Sequence, residues 1–204
     1  MSLPDHLGGH CNITHLDDGV LNFLIEYYQI SSMLDIGCGP GGMVELAKSK
    51  GLGAKGIDGD FTINFANPED FIVHDFTTGP IIVKDDYDLV WCCAFNEHVE
   101  EQYVSNFMCA IEKGKIVVMT YYELPGHNHV NCQPAEYWIT VMNNYGFKYD
   151  QQLTDKIRSA TTLGKRSNGK YSRKAWIRHY GLAFVKENKY WNQVYESTKF
   201  NNKK

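Results

Sequence analysis

Ser32-Met33-Leu34-Asp35-Ile36-Gly37-Cys38-Gly39-Pro40-Gly41-Gly42 is the stretch that decides the fold. Met33 to Ile36 is a short apolar run that reads as a buried strand carrying one acid, Asp35. The run breaks into a turn with Gly at 37, 39, 41 and 42, and Val44, Leu46 and Ala47 then open a helix over about 41–50. Strand, glycine turn and helix, in that order, form the first unit of an α/β fold that takes a ligand at the turn. The spacing Gly37-x-Gly39-x-Gly41 is tighter than the dinucleotide fingerprint G-x-G-x-x-G, and the acid stands two residues before the first glycine.

The pattern Asp-x-Gly-x-Gly-x-Gly resembles the first motif of the class I S-adenosylmethionine (SAM)-dependent methyltransferases. The resemblance implies that Gly37, Cys38, Gly39 and Gly41 cradle the methionine part of SAM and that Asp35 meets its amino group. The wording Gly126-His127-Asn128-His129-Val130-Asn131-Cys132-Gln133-Pro134, followed by Tyr137-Trp138, is similar to a group of small bacterial and phage methyltransferases.

Outward from the turn, strands and helices alternate. Strands are expected at about 54–57, 71–74, 87–93 and 115–121, with helices at about 20–28, 94–111 and 133–145. A capping acid, Asp17 or Asp18, precedes the first helix. Two strands, about 147–153 and 175–185, then follow each other directly. Alternation argues for a parallel sheet, and the final pair resembles the antiparallel hairpin that closes the methyltransferase sheet. The expected fold is a Rossmann-like seven-stranded mixed sheet, order 3-2-1-4-5-7-6, with strand 7 antiparallel and helices on both faces. A single domain over 1–204 is expected: a cover and helix at 1–31, a SAM-binding core at 32–153, and a basic loop, last strand and tail at 154–204.

Asp58 closes the second strand 21 residues beyond Gly37, where an acid suits two ribose hydroxyls. Gly59 beside it leaves room for an adenine ring. The resemblance places Asp75 near the adenine amino group and the Phe76 backbone against a ring nitrogen, with Cys93 contributing backbone to SAM.

Methyl transfer from SAM is a displacement at a sulfonium methyl, so the protein must align an acceptor and take its proton. Glu97-His98-Val99 after the fourth strand resembles ubiquinone-pathway O-methyltransferases and small-RNA 2′-O-methyltransferases. Some of those hold a metal on two glutamates three residues apart and the adjacent histidine. Here the earlier position is Ala94. Glu97, His98, His127 and His129 would make a mixed carboxylate–imidazole site, although a divalent metal is not the expected case. The simpler reading makes His129 or His98 the general base, with Glu97 beside them. His10, Thr14, His15 and His127 are candidates for the substrate side. The expected reaction is methylation of an oxygen, with nitrogen second. The alternatives are a SAM- or nucleic-acid-binding module, or an RNA-directed methyltransferase.

The 204 residues suffice for one full core, and their 43% apolar and 22% charged content is ordinary for a globular chain. The N-terminus lacks signal-peptide regions and no apolar run reaches membrane length. Six cysteines without a C-x-x-C pair read as reduced thiols, and a cytoplasmic setting is expected. The net charge of −4 hides an asymmetry: residues 1–155 carry 7 Lys/Arg against 22 Asp/Glu, and residues 156–204 carry 13 against 2. Basic residues cluster over 158–174, read as a flexible loop, and Tyr171, Trp176, His179, Tyr180, Tyr190 and Trp191 are interleaved with the basic residues there and beyond, a combination that suits nucleic acid or a small nucleotide-like anionic substrate.

Overall fold

The computed structural model describes residues 3–4, 6–10, 12–164 and 175–187. Seven strands form one sheet in the order β3-β2-β1-β4-β5-β7-β6. They are β1 (Ser32–Ile36), β2 (Gly53–Asp58), β3 (Phe71–Val73), β4 (Tyr87–Cys92), β5 (Gly114–Thr120), β6 (Phe147–Tyr149) and β7 (Gly181–Lys186). The first five pair in parallel. β7 runs antiparallel between β5 and β6, with Val118 opposite Ala183 and Lys148 opposite Val185. Order and strand directions match the expectation from sequence.

Side chains alternate across the sheet, so each strand feeds two cores. On one face Met33, Leu89, Trp91, Val118 and Ala183 pack with α1 (Asp18–Tyr28), α2 (Gly42–Ser49), α5 (Gln151–Ala160) and α6 (Trp176–Tyr180). On the other, Leu34, Ile36, Val90, Val117 and Phe184 pack with α3 (Val104–Ile111) and α4 (Ala135–Asn144), whose Phe107, Met108, Trp138 and Met142 are fully buried. The result is helix, sheet, helix.

Asp17, not Asp18, caps α1. It is fully buried and ties that helix to the end of α5. One carboxylate oxygen accepts from Val20 N at 3.2 Å and Thr162 N at 2.9 Å, and the other accepts from the Thr161 hydroxyl.

Two expectations near the C-terminus are corrected. Strand six ends at Tyr149, because Asp150 caps a helix, its carboxylate accepting from Leu153 N at 2.8 Å. Leu153, Thr154 and Ile157 then bury one face of that helix, where a strand and a loop were expected. The last strand starts at Gly181, since Trp176–Tyr180 form α6. A Cβ at Gly181 would come within 2.5 Å of the Ile177 carbonyl oxygen, so the tight helix-to-strand turn requires glycine. Of the basic stretch 158–174, residues 165–174 lie outside the described residues, as does the tail 188–204. The five described cysteines are free thiols. No helix among the described residues is long and apolar enough to cross a membrane.

Candidate active site

The sheet order reverses between β1 and β4, and a crevice opens at the carboxyl ends of strands where the winding switches. A cavity of about 470 Å³ lies there. It is walled by the ends of β1, β2, β4 and β5 and covered by residues 6–10 and 13–15 and by α6.

The glycine turn forms its floor. Gly37 N and Cys38 N both donate to the Ile57 carbonyl, at 2.9 and 3.1 Å, folding the turn over β2. Gly37, Cys38 and Gly39 line the cavity. Gly41 does not: it caps α2 at φ +87°, and a Cβ there would meet the Phe71 ring at 2.4 Å. Its glycine serves the helix start and the packing of Phe71. Asp35 is buried beside the turn, and no hydrogen-bond donor among the described residues reaches its carboxylate. Burial, with the nearby Asp58 charge second, pushes its pKa up to about 8. An uncompensated buried acid of this kind suits a cationic ligand group.

Asp58, Gly59, Asp75 and Phe76 gather at a second end. Asp58 accepts from Gly39 N at 2.7 Å and Asp60 N at 2.9 Å, using one lone pair on each oxygen. Asp75 accepts from Thr77 N at 2.8 Å and lies 2.9 Å from His6 Nε2. Burial acts to raise its pKa, but the bonds from His6 and Thr77 outweigh it and hold the carboxyl below its usual range.

The covering segment is tied down by its own polar groups. Asn12 N donates to His10 Nδ1 at 3.0 Å, so the other ring nitrogen carries the proton shared with Asp60 at 3.1 Å. The Thr14 hydroxyl accepts from Gly42 N at 3.2 Å, at the start of α2. His10 and Thr14, expected on the substrate side, line the cavity with these polar atoms already engaged within the chain. His15 stands edge-on to Trp176, ring centroids 4.3 Å apart.

The third end carries Glu97, His98, His127 and His129. Glu97 follows β4 in a short turn, and its backbone carbonyl accepts from Val130 N and Asn131 N, which docks the loop after β5 against it. Its side chain is buried with Oε2 unpartnered among the described residues, and burial lifts its pKa to about 7. Burial lowers the pKa of His98, outweighing the Asn128 carbonyl, which favours the neutral ring. His98 Nδ1 lies 3.0 Å from the Asn128 carbonyl oxygen and His129 Nδ1 lies 3.2 Å from that of Leu124. A carbonyl only accepts, so Nδ1 carries a proton in both rings, and a ring with a single proton keeps its lone pair on Nε2. The rings meet edge to face at 5.0 Å. One donor atom each from Glu97, His98 and His129 lie within 4.8 Å of one another; His127 stands outside this group.

Cys38 and Cys93 also line the cavity, and burial, the largest cause, holds both thiols well above the usual range. Trp91, Phe95, Thr120, Tyr121 and Tyr122 also line the wall and were not singled out from sequence, whereas Trp176, also in the wall, was noted there among the aromatics of the basic C-terminal region. The aromatic doublet Tyr121-Tyr122 at the end of the fifth strand was the available signal. Of the basic stretch, Arg158 turns inward: its Nε donates to the Gly181 carbonyl at 2.8 Å.

Solved structures share this architecture. Magnesium protoporphyrin IX methyltransferase from Synechocystis PCC 6803 with bound SAH superposes with a TM-score of 0.57 at 15% identity, over 83% of this chain and 81% of that one. A TehB-like SAM-dependent methyltransferase from Corynebacterium glutamicum gives 0.54 at 18% identity, over 84% and 89%. The O-MT segment of StiE gives 0.51 at 12% identity, over 88% and 76%.

The fold is that of the class I SAM-dependent methyltransferases.

No family model and no curated protein matches the sequence. The likeness to the solved structures is one of fold. The cavity of this chain lies where that fold places ligands, at the switch between β1 and β4.

Proposed function

We propose that the chain is a SAM-dependent methyltransferase acting on an oxygen acceptor. One observation carries the reading. A single cavity holds a buried acid at the glycine turn, reached by no hydrogen-bond donor among the described residues, and, elsewhere in its wall, two histidines anchored through Nδ1 by backbone carbonyls. Bound SAM supplies a sulfonium methyl as the electrophile.

The residues of the chain divide the remaining work. Asp35 faces the ammonium of the methionine part, and Gly37, Cys38 and Gly39 form the floor beneath it. Asp58 and Gly59 receive the ribose, with the lone pairs that the backbone leaves unused on Asp58. Asp75, Phe76 and the Cys93 backbone serve the rest of the cofactor. His129 or His98 takes the acceptor proton on Nε2, a step for which imidazole has the right basicity near neutrality. An oxygen acceptor is supported by the Glu97-His98-Val99 wording and by the fold shared with an O-methyltransferase.

A second reading has its own observation. One carboxylate oxygen and two imidazole nitrogens within 4.8 Å form a donor set that suits a divalent cation. Both rings are oriented through Nδ1 by backbone carbonyls, the arrangement that presents Nε2 to a metal. A divalent ion held by Glu97, His98 and His129 would supply Lewis acidity toward a hydroxyl. Calorimetric titration with SAM and SAH, with and without Mg²⁺, Mn²⁺ or Zn²⁺, tests both readings. Binding of SAM supports the first, and titratable metal binding that Glu97→Gln abolishes supports the second. Absence of SAM and SAH binding would remove the methyltransferase reading.

A further inference from the structure

β4 ends its pairing with β5 at Cys92 opposite Met119, and the chain must then leave the sheet. It does so at Ala94, whose φ is +54°. Alanine has no side-chain group to support this left-handed conformation, which crowds Cβ against backbone oxygen. Support comes from across the sheet: Ala94 N donates to the Thr120 hydroxyl oxygen at 2.8 Å. Thr120 is 3% exposed at the last position of β5, where its own backbone pairs with Gly181 of β7.

Everything expected to do chemistry on this segment lies just beyond the turn. Phe95 comes next, its ring against Gly37 so closely that a Cβ there would sit 2.2 Å away. His98 N then donates to the Phe95 carbonyl at 2.9 Å, forming the short helical turn that carries Glu97 and His98. A hydroxyl has one proton and two lone pairs. With one lone pair taken by Ala94 N, Thr120 still has its proton for a partner in the cavity it lines.

We infer that Thr120 is a positioning residue: its hydroxyl holds the left-handed turn at Ala94 and thereby sets Phe95 on the glycine turn and His98 against Asn128. The functional importance of that placement rests on the methyltransferase reading, whereas the clamp itself does not.

The test uses the full chain and needs no acceptor. Amide exchange at Ala94 and the imidazole ¹⁵N spectrum of His98 are recorded at one pH for wild type, Thr120→Val and Thr120→Ser. Valine matches the shape of threonine and removes the acceptor; serine keeps it. Loss of one such hydrogen bond speeds local amide exchange about tenfold. Thr120→Val is expected to show that acceleration and to lose the His98 Nδ1–H signature, while Thr120→Ser stays near wild type. Adding Ala94→Gly to Thr120→Val is expected to restore the His98 signal, since glycine adopts the turn unaided. Wild-type protection in Thr120→Val, equal damage in Thr120→Ser, or no recovery in the double variant would each overturn the inference. SAM calorimetry on the wild-type chain reads the cofactor assignment separately, so a failure there leaves the exchange result interpretable.

Discussion

The backbone N–H of Gly39 donates to Oδ2 of Asp58 across 2.7 Å, so the acid that ends β2 holds the glycine turn that follows β1. Its other oxygen holds Asp60 N at 2.9 Å. Asp58 therefore shapes the turn and keeps lone pairs for a ligand. Asp58→Ala is expected to weaken SAM binding about 10- to 100-fold, the range of one lost charged hydrogen bond. Asp58→Asn should fall between the two. Unchanged affinity by calorimetry would remove Asp58 from the ribose assignment.

Asp35 makes SAM binding depend on pH. Its pKa of about 8 leaves it protonated in the empty cavity at pH 6 to 7. An ammonium partner favours the anion, so binding expels a proton and affinity rises as pH climbs from 6 toward 8, by at most tenfold per unit. Asp35→Asn should bind weakly with no such slope. The ligand-free protein is expected to follow the opposite trend. An acid raised on folding binds its proton more tightly in the native state, so this group's contribution to stability falls as pH rises from about 3.8 to about 8. Thermal unfolding against pH, with wild type and Asp35→Asn side by side, checks the sign.

His129→Ala is expected to reduce turnover 10²- to 10⁴-fold once an acceptor is in hand, the usual contribution of a positioned base. SAM affinity should stay within twofold. A parallel loss of both would assign the ring to cofactor binding instead.

Asp17 is a matter of stability alone. Asp17→Ala strands Val20 N, Thr162 N and the Thr161 hydroxyl at the buried junction of α1 and α5. The cost is about 3 kcal/mol, which lowers Tm by roughly 6–12 °C in a chain of this length. A shift below about 2 °C by calorimetry would mean that water or a neighbouring side chain takes over these donors.

The sheet order was legible through the resemblance that starts at Asp35-x-Gly37-x-Gly39-x-Gly41: apolar runs mark β1 to β5, but only the short turns Pro68–Asp70 and Phe76–Thr78 lie between β2, β3 and β4, and runs alone leave the order of parallel strands open. The C-terminal third was harder. Phe147-Lys148-Tyr149 alternates like a strand, and the alternation conceals Asp150, whose capping of Leu153 N turns the next ten residues into α5. Asp35, Asp58 and the histidines after β4 and β5 were each found by local wording, and all line one cavity. Gly41 could not be sorted from Gly37 and Gly39 by sequence, since contact with Phe71 spans 30 positions. The partners of His10 and Thr14, at positions 60 and 42, were equally out of reach of a linear reading.

Burial of Cys38 and Cys93 has a chemical consequence for an enzyme of the proposed kind. A thiolate is the most nucleophilic side chain a protein offers, and a sulfonium methyl reacts fastest with soft anionic nucleophiles of this kind. Two cysteines line the cavity in which that methyl would sit. Their thiols are held protonated by burial and by the neighbouring acids, which in such an enzyme would guard the chain against methylating itself.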